Sequence, residues 1–459
     1  MGYKIDEKNK AFCLAPWMSA HVWPSGQTFP CCLWDIHEPM GNINDTPLEE
    51  IWNNSKMKDT RLSMLKGEKL KPCTRCYELE DAGYGSYRKD INTRHGKNVK
   101  YVDDTKEDGT LEEMNLHLWD FRLSNFCNFK CRSCGLGLSS TWYQDTVALK
   151  TNENLKEIGS LYYNNQGIKK ALETVNDKVS FLEIIEPHYT CVDEVYFAGG
   201  EPLMMPEHYT ILDKLIETGR TDVWLRYSTN FSSFTFKGKN IFDYWRQFKQ
   251  IQLWISIDGV GKIGEYVRKG FSDSKFEANI TRLKEENYKF TDIGYIVTYG
   301  ALNFLHIFDL VLNFIEREYV DYGEPFLGNK QIHFNPISHP KYYDSKFLPT
   351  RYKEAFLNRL QTFEQEMKAI GASDYFASNV MEKLATAYNR SIETDFDFKE
   401  MQELKVLTQE LDLLRDEKFE NTFGYFKVLD DLTDNRDHTD LPRFTYPVVV
   451  SDEETRNLI

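Results

Sequence analysis

Through the middle of the chain, short apolar runs alternate with stretches of helical spacing. Strand-length runs occur at Leu116–Leu123, Glu194–Ala198, Val223–Thr229, Ile251–Ile257, Ile293–Thr298 and Gln331–Phe334. Between them, His208–Thr218, Phe242–Phe248 and Phe304–Glu318 carry apolar residues at helical intervals. Such alternation predicts βα units around a parallel sheet, and six of them predict an α/β fold, an open partial (β/α)6 barrel over residues 106–340. Residues 1–105 are rich in Trp, Pro, Gly and Cys, with Pro47–Leu65 as the clear helix prediction. A polar stretch from 91 to 114 separates them from the barrel. Residues 341–459 predict a mostly helical extension, with helices at Tyr352–Ala372 and Lys405–Phe423 and a proline-containing extended tail.

Composition narrows the class. At 459 residues, 41% hydrophobic, 28% charged and 14% aromatic, the chain has enough apolar surface to fold as two or three domains. No run approaches the roughly 20 apolar residues of a membrane span, and the start lacks the apolar core of a signal peptide, so a cytoplasmic location without membrane contact is expected. The net charge of −15 argues against a generic nucleic-acid-binding surface. All nine cysteines fall between residues 13 and 191, mostly in short-spaced groups. In a reducing compartment such grouping points to metal ligation rather than disulfides.

One group lies just past the first predicted barrel strand, where Cys127, Cys131 and Cys134 are spaced CX3CX2C. With 9 cysteines in 459 residues, chance would produce this spacing about 0.004 times in the whole chain. Structural zinc wants four Cys or His ligands, and this loop offers three thiols with no His between 118 and 187. A [4Fe–4S] cluster normally takes four thiolates, so three would leave one iron open to an outside ligand.

CX3CX2C after the first strand of a βα barrel resembles the signature of the radical S-adenosylmethionine (SAM) superfamily. The resemblance implies that the open iron binds the amino and carboxylate groups of SAM. An injected electron would then break the S–C5′ bond, giving methionine and a 5′-deoxyadenosyl radical that abstracts hydrogen from substrate. Members often have an aromatic residue before the third cysteine, where this chain has Ser133. The second strand runs into Gly199-Gly200-Glu201-Pro202, which read alone is a turn before a helix. After CX3CX2C it resembles the family's GGEP motif, which holds the SAM ammonium group. Ser256 and Arg268 resemble residues that contact SAM's ribose or carboxylate, an arginine being able to grip a carboxylate with two hydrogen bonds. Asn230 matches a family Thr-Asn strand end, and Asp258 ends the neighbouring strand; either could equally be a solvated strand-end residue.

The second group comprises Cys13, Cys31, Cys32, Cys73 and Cys76. Spacing alone leaves zinc and iron–sulfur equally open, since two cysteine pairs fit a closed four-thiolate zinc site. CX12GX4C followed by a distant CX2C resembles the twitch (SPASM-like) domain of radical SAM enzymes. That resemblance implies an auxiliary [4Fe–4S] cluster on Cys13, Cys31, Cys73 and Cys76, with Cys31 completing the GX4C spacing and Cys32 as its competitor. The domain here precedes the barrel, whereas in the best-known relatives it follows. Cys191 is expected to be an unpaired buried thiol.

The expected activity is SAM cleavage followed by hydrogen abstraction from a peptide or protein side chain. Its rivals are oxidation or rearrangement of a small molecule such as an amino sugar, and a non-catalytic two-cluster electron carrier. GGEP and Arg268 count against the carrier, which needs no SAM pocket. A flavodoxin or ferredoxin is the expected reductant.

Overall fold

All six strand-length runs form strands. The computed structural model describes residues 3–6, 8–81, 85–150, 181–323, 331–435 and 441–446. In chain order the strands used below are β1 (Ser19–Val22), β2 (Gln27–Phe29), β3 (Gly41–Asn42), β4 (Leu118–Phe121), β5 (Lys130–Cys131), β6 (Glu194–Phe197), β7 (Trp224–Thr229), β8 (Gln250–Ser256), β9 (Arg268–Lys269), β10 (Asp292–Tyr299) and β11 (Gln331–Pro336). The molecule is a mixed α/β protein that divides into two compact units. The first comprises residues 1–127, 171–228 and 233–252; the second comprises residues 128–170, 229–232 and 253–459.

In the first unit β7, β6, β4 and β1 pair in parallel, with Tyr196 opposite Arg226, Leu118 opposite Glu194 and His21 opposite Asp120. The antiparallel strands β2 and β3 extend the sheet from β1. Sequence patterning missed β1 because all four of its residues are buried, which erases the period-two signal. The turn into β2 uses Gly26 at φ 83°, where a side chain would also run into Asn42 and Asn44. Alternation along the strands gives the sheet two unlike faces. Trp119, Val195, Phe197, Leu225 and Tyr227 are buried, and Phe197 packs on His208 of the helix Pro206–Glu217, ring centroids 4.6 Å apart. The opposite face carries Asp120, Glu194, Tyr196 and Arg226. The predicted helix Pro47–Leu65 is two, Leu48–Trp52 and Ser55–Leu65, because the Asn54 side chain accepts from Met57 N (3.0 Å) and starts a new helix.

In the second unit β10 and β11 pair in parallel, and Ile257 N, just past β8, donates to Ile296 O of β10 at 2.9 Å. Strands β5 and β9 form a small antiparallel pair with Cys131 opposite Arg268. The C-terminal segment is helical as expected, in Thr350–Ala369, Asp374–Ser391 and Phe398–Arg415. Phe356 anchors it by stacking on Phe304 at 4.2 Å. The last of these helices starts on an Asp397 cap and ends where Asp416 turns left-handed at φ 51°, so the expected helix Lys405–Phe423 stops at Arg415. Most of the expected tail lies outside the described residues.

Candidate functional site

The N-terminal thiols are assembled from three separated segments. Cys13 precedes the turn Ala15–Met18, Cys31 follows β2, and Cys73 and Cys76 lie at the start of the helix Thr74–Asp81. The four thiols are near enough to raise one another's pKa. Burial first, then Cys76, pushes Cys13 up to about 12. Burial, then Cys13 and Cys76, does the same for Cys73. Cys31 is driven well above the ordinary thiol value by burial and by Cys32, Cys13 and Cys73. Cys32 faces other groups: burial first, then Asp120, pushes its thiol up to about 12, with Arg122 and Tyr87 opposing. Asp120 is itself buried, 3.1 Å from His21 Nδ1 and 3.1 Å from Arg122 Nη2. The charged groups beside Cys32 are thus Asp120 and Arg122, whereas Cys31 feels its neighbour Cys32 and also Cys13 and Cys73. Arg88 is the cation nearest this group. Its Nη1 donates to Phe12 O at 2.7 Å, while its Nε and Nη2 grip Glu80.

The first unit also holds Cys127 and the Gly-Gly-Glu-Pro turn. Gly199 and Gly200 sit at φ 79° and 54°, and a Cβ on Gly200 would come within 2.5 Å of Phe126 O. Glu201 N donates to that same carbonyl at 2.8 Å, and Glu201 Oε1 caps the turn Pro202–Met204 through Leu203 N at 3.1 Å. The turn is thus fastened to the backbone that leads into Cys127. That close approach is what requires glycine at position 200.

In the second unit, Cys131 and Cys134 share one tight hairpin, Cys134 N donating to Cys131 O at 3.0 Å. A hydrogen bond from the Cys134 thiol, then Arg268 and Arg415, lowers the Cys131 pKa despite burial and the charge of Asp258. Arg268 and Asp258 bind each other, Nη1 to Oδ2 at 2.9 Å, and both are buried. Asp258 Oδ1 also accepts from Thr298 N at 2.8 Å. Asn230 donates to Asn128 Oδ1 at 2.8 Å and accepts from Ser232 N at 3.0 Å. Asp258 and Ser133 line a cleft of about 270 Å³ that also touches Thr298, Asn303 and Arg132. Ser256 is half-buried at the end of β8.

Sequence reasoning missed the charged groups around this hairpin. Arg132 is buried between the two cysteines, stacked on the Tyr266 ring at 3.7 Å. Its Nη2 meets Asp412 and, at 2.8 Å, Glu417. Arg415 donates from Nε to Asp145 at 2.8 Å and lies 4.5 Å above the Trp142 ring, whose Nε1 donates to Cys131 O at 3.0 Å. Only Lys130 and Arg132, basic residues flanking a cysteine, hinted at this in the sequence.

No three Cys, His, Asp or Glu side chains among the described residues stand ready-made to hold a metal ion. The chemistry of the surroundings is a further test. Arg132 Nη1, Arg268 Nε and both terminal nitrogens of Arg415 are buried and have no hydrogen-bond partner among the described residues. An unpaired buried donor costs about 1–3 kcal/mol, so several around one thiol pair suit an anionic thiolate-bound cluster. Four grouped thiols at the N-terminal site supply the soft donors that an iron–sulfur cluster or zinc requires.

No curated protein sequence matches the chain. Solved structures that resemble it include Streptococcus suis SuiB bound to S-adenosylmethionine, 16% identical with a TM-score of 0.28 over 52% of this chain and 43% of that one. Another is histidine-tagged anSMEcpe with bound AdoMet, 16% identical with a TM-score of 0.32 over 55% of this chain and 66% of that one. A third, SuiB bound to precursor peptide SuiA, is 15% identical with a TM-score of 0.28 over 59% and 53%. The chain spans less than two thirds of the length of each, and likeness this loose carries no argument about function. Residues 13–77 match the SPASM family, described as an iron–sulfur cluster-binding domain. Residues 13–77 are thus similar to the SPASM iron–sulfur cluster-binding domain, and the Cys127–Cys134 loop and the Gly199–Pro202 turn follow them in the chain.

Proposed function

We propose that the chain is a radical SAM enzyme that cleaves SAM reductively and abstracts a hydrogen atom from a peptide or protein side chain. The observation that carries this reading is the joint presence of a SPASM match over residues 13–77 and a CX3CX2C loop whose second and third cysteines share one hairpin among unsatisfied buried arginine donors. In this reading Cys127, Cys131 and Cys134 hold one [4Fe–4S] cluster and Cys13, Cys31, Cys73 and Cys76 hold a second. When bound, the first would supply the electron that breaks the S–C5′ bond of SAM.

The chain's own residues bind and orient. Gly199 and Gly200 give the turn its positive φ and would offer backbone carbonyls to a ligand ammonium group, with Glu201 and Pro202 fixing the strand end behind it. Arg268, already anchored by Asp258, retains an unused Nε donor for the SAM carboxylate, and Ser256 and Asn230 lie at strand ends suited to the ribose. Residues 106–340 act as the partial barrel, residues 1–105 as the auxiliary-cluster segment and residues 341–459 as a helical extension. A flavodoxin or ferredoxin supplies electrons, and the enzyme works in the cytoplasm. Peptide substrates are favoured over small molecules because an auxiliary-cluster domain of this kind is typical of peptide-modifying relatives.

With a strong reductant and SAM, the reconstituted protein is expected to form 5′-deoxyadenosine slowly without substrate. The triple variant Cys127→Ala/Cys131→Ala/Cys134→Ala is expected to form none while keeping about half the iron, as two four-iron clusters require. Equal product from both proteins, or none from a wild type shown to hold both clusters and SAM, would overturn the assignment.

A further inference from the structure

The C-terminal helix Phe398–Arg415 ends in a set of charges that reach the CX2C hairpin from about 280 residues away in sequence. Asp412 takes the Arg132 guanidinium and also accepts from Tyr266 Oη at 2.7 Å. Glu417 takes Arg132 at 2.8 Å and Lys269, next to Arg268 in β9, at 3.1 Å. Lys269 Nζ further donates to Arg415 O at 3.3 Å. On the other flank Asp145 bridges Lys130, the residue before Cys131, at 2.9 Å and Arg415 at 2.8 Å. The left-handed turn at Asp416 is what lets Asp412, Arg415 and Glu417 converge on one spot.

This network is more than packing. Every carboxylate in it is engaged, whereas Arg415, with a fully buried side chain, uses only Nε and leaves Nη1 and Nη2 without a partner among the described residues. Arg132 leaves Nη1 unused as well, and the two guanidinium groups are near enough to repel each other. Their carboxylate partners leave these buried donors unmet, so the donors are free for a further acceptor, and Cys131 and Cys134 flank Arg132 in the chain. Arg415 approaches Cys131 through Trp142, whose ring lies 4.5 Å from the guanidinium and whose Nε1 donates to Cys131 O at 3.0 Å. Nearby donors and positive charge are what set a cluster's reduction potential.

Resting on the radical SAM reading, we infer that the end of the C-terminal helix is part of the cluster's setting. Arg415 is a positioning residue that raises the potential of the cluster on CX3CX2C, and Asp412 with Glu417 clamps Arg132 so that the hairpin is preformed.

The full chain tests this without relying on turnover. In the reconstituted Arg415→Gln variant, redox titration followed by electron paramagnetic resonance should show the cluster at CX3CX2C about tenfold harder to reduce. That corresponds to about 59 mV for one electron. The N-terminal cluster should keep its potential as an internal control, and Arg415→Lys should recover most of the shift. In the iron-free chain, Asp412→Asn/Glu417→Gln should speed hydrogen exchange of the Arg132 and Cys134 amides about tenfold. An unmoved potential, an equal shift in both clusters, or unchanged exchange would overturn the inference while leaving the SAM cluster in place. A wild type with no cluster on CX3CX2C would instead overturn the functional reading beneath it, and iron counting shows this before any variant is made.

Discussion

The thiols of Cys13, Cys31, Cys73 and Cys76 lie where burial and mutual repulsion keep them protonated, while Cys131 is held below the ordinary thiol value by Cys134, Arg268 and Arg415. Arg88 is the cation beside the first group, and it is tied to Glu80. The hairpin, in contrast, has three buried arginines with donors to spare. Metal binding must therefore expel protons from the first group, whereas Cys131 of the second is biased toward the anion beforehand. The contrast matches two tasks. A saturated cluster needs four donors brought together, and a cluster with an open iron also needs neighbours that set its charge and receive a second ligand.

The sharpest way to break this comparison is to exchange the two adjacent cysteines of the first group. Cys31→Ala should lose one cluster's worth of iron, about four per chain, because Cys31 faces Cys13 and Cys73. Cys32→Ala should keep both clusters, since the charged groups beside its thiol are Asp120 and Arg122. Iron and sulfide counting on both variants decides it. Loss of iron from Cys32→Ala alone would show that the thiols regroup when metal arrives.

How far the sequence foretold these two regions follows from the reach of each signal. The six predicted strands and the main helices were legible because buried strands and amphipathic helices impress a local period. CX3CX2C was legible because its three cysteines stand at close spacing within one loop. Strand β1 was not, being buried along its whole length, nor was the break at Asn54, where one side chain outweighs the apolar period. The GX4C spacing favoured Cys31 over Cys32, but no local pattern says which charged groups surround either thiol. The clamp from Asp412, Arg415 and Glu417 left no trace in local pattern, because its members are hundreds of residues from the cysteines and resemble a solvated helix end until the chain folds.

A second, smaller effect concerns what anchors the first region. Glu194 of β6 is buried against His95 Nε2 at 2.9 Å, Arg226 Nη1 at 2.7 Å and Arg94. His95 and Arg94 belong to the segment that follows the N-terminal thiols. Burial alone would raise the Glu194 pKa, but the His95 hydrogen bond and the two arginines outweigh it and bring it to about 2. A carboxylate whose folded pKa lies below its unfolded value stabilises fully above the unfolded value near 4.5. That contribution is lost as pH falls from there through about 2. At neutral pH Glu194→Gln should therefore cost on the order of 3 kcal/mol in urea unfolding of the iron-free chain, the deficit vanishing toward pH 2. A pH-independent deficit would mean that shape, and not charge, makes the anchor.

The smallest expected effect separates the two duties assigned to cations around the hairpin. Arg268 lies opposite Cys131 in the β5–β9 pair, tied to Asp258 through Nη1 and with Nε unused. If its role is to hold SAM, Arg268→Ala should keep the iron content of both clusters and weaken SAM binding about tenfold or more, the equivalent of one charge-assisted contact of roughly 1.5–3 kcal/mol. Arg268→Lys should recover only part of this, because an ammonium cannot make two parallel bonds to a carboxylate. Equilibrium SAM binding measured beside iron content distinguishes the cases. Iron lost in step with affinity would move Arg268 into the scaffold that supports the cysteines, alongside Arg132, and unchanged affinity would show that the SAM carboxylate is held by another group. Only weakened binding at full iron content keeps the division of labour in which Arg132 and Arg415 serve the hairpin and Arg268 serves its second ligand.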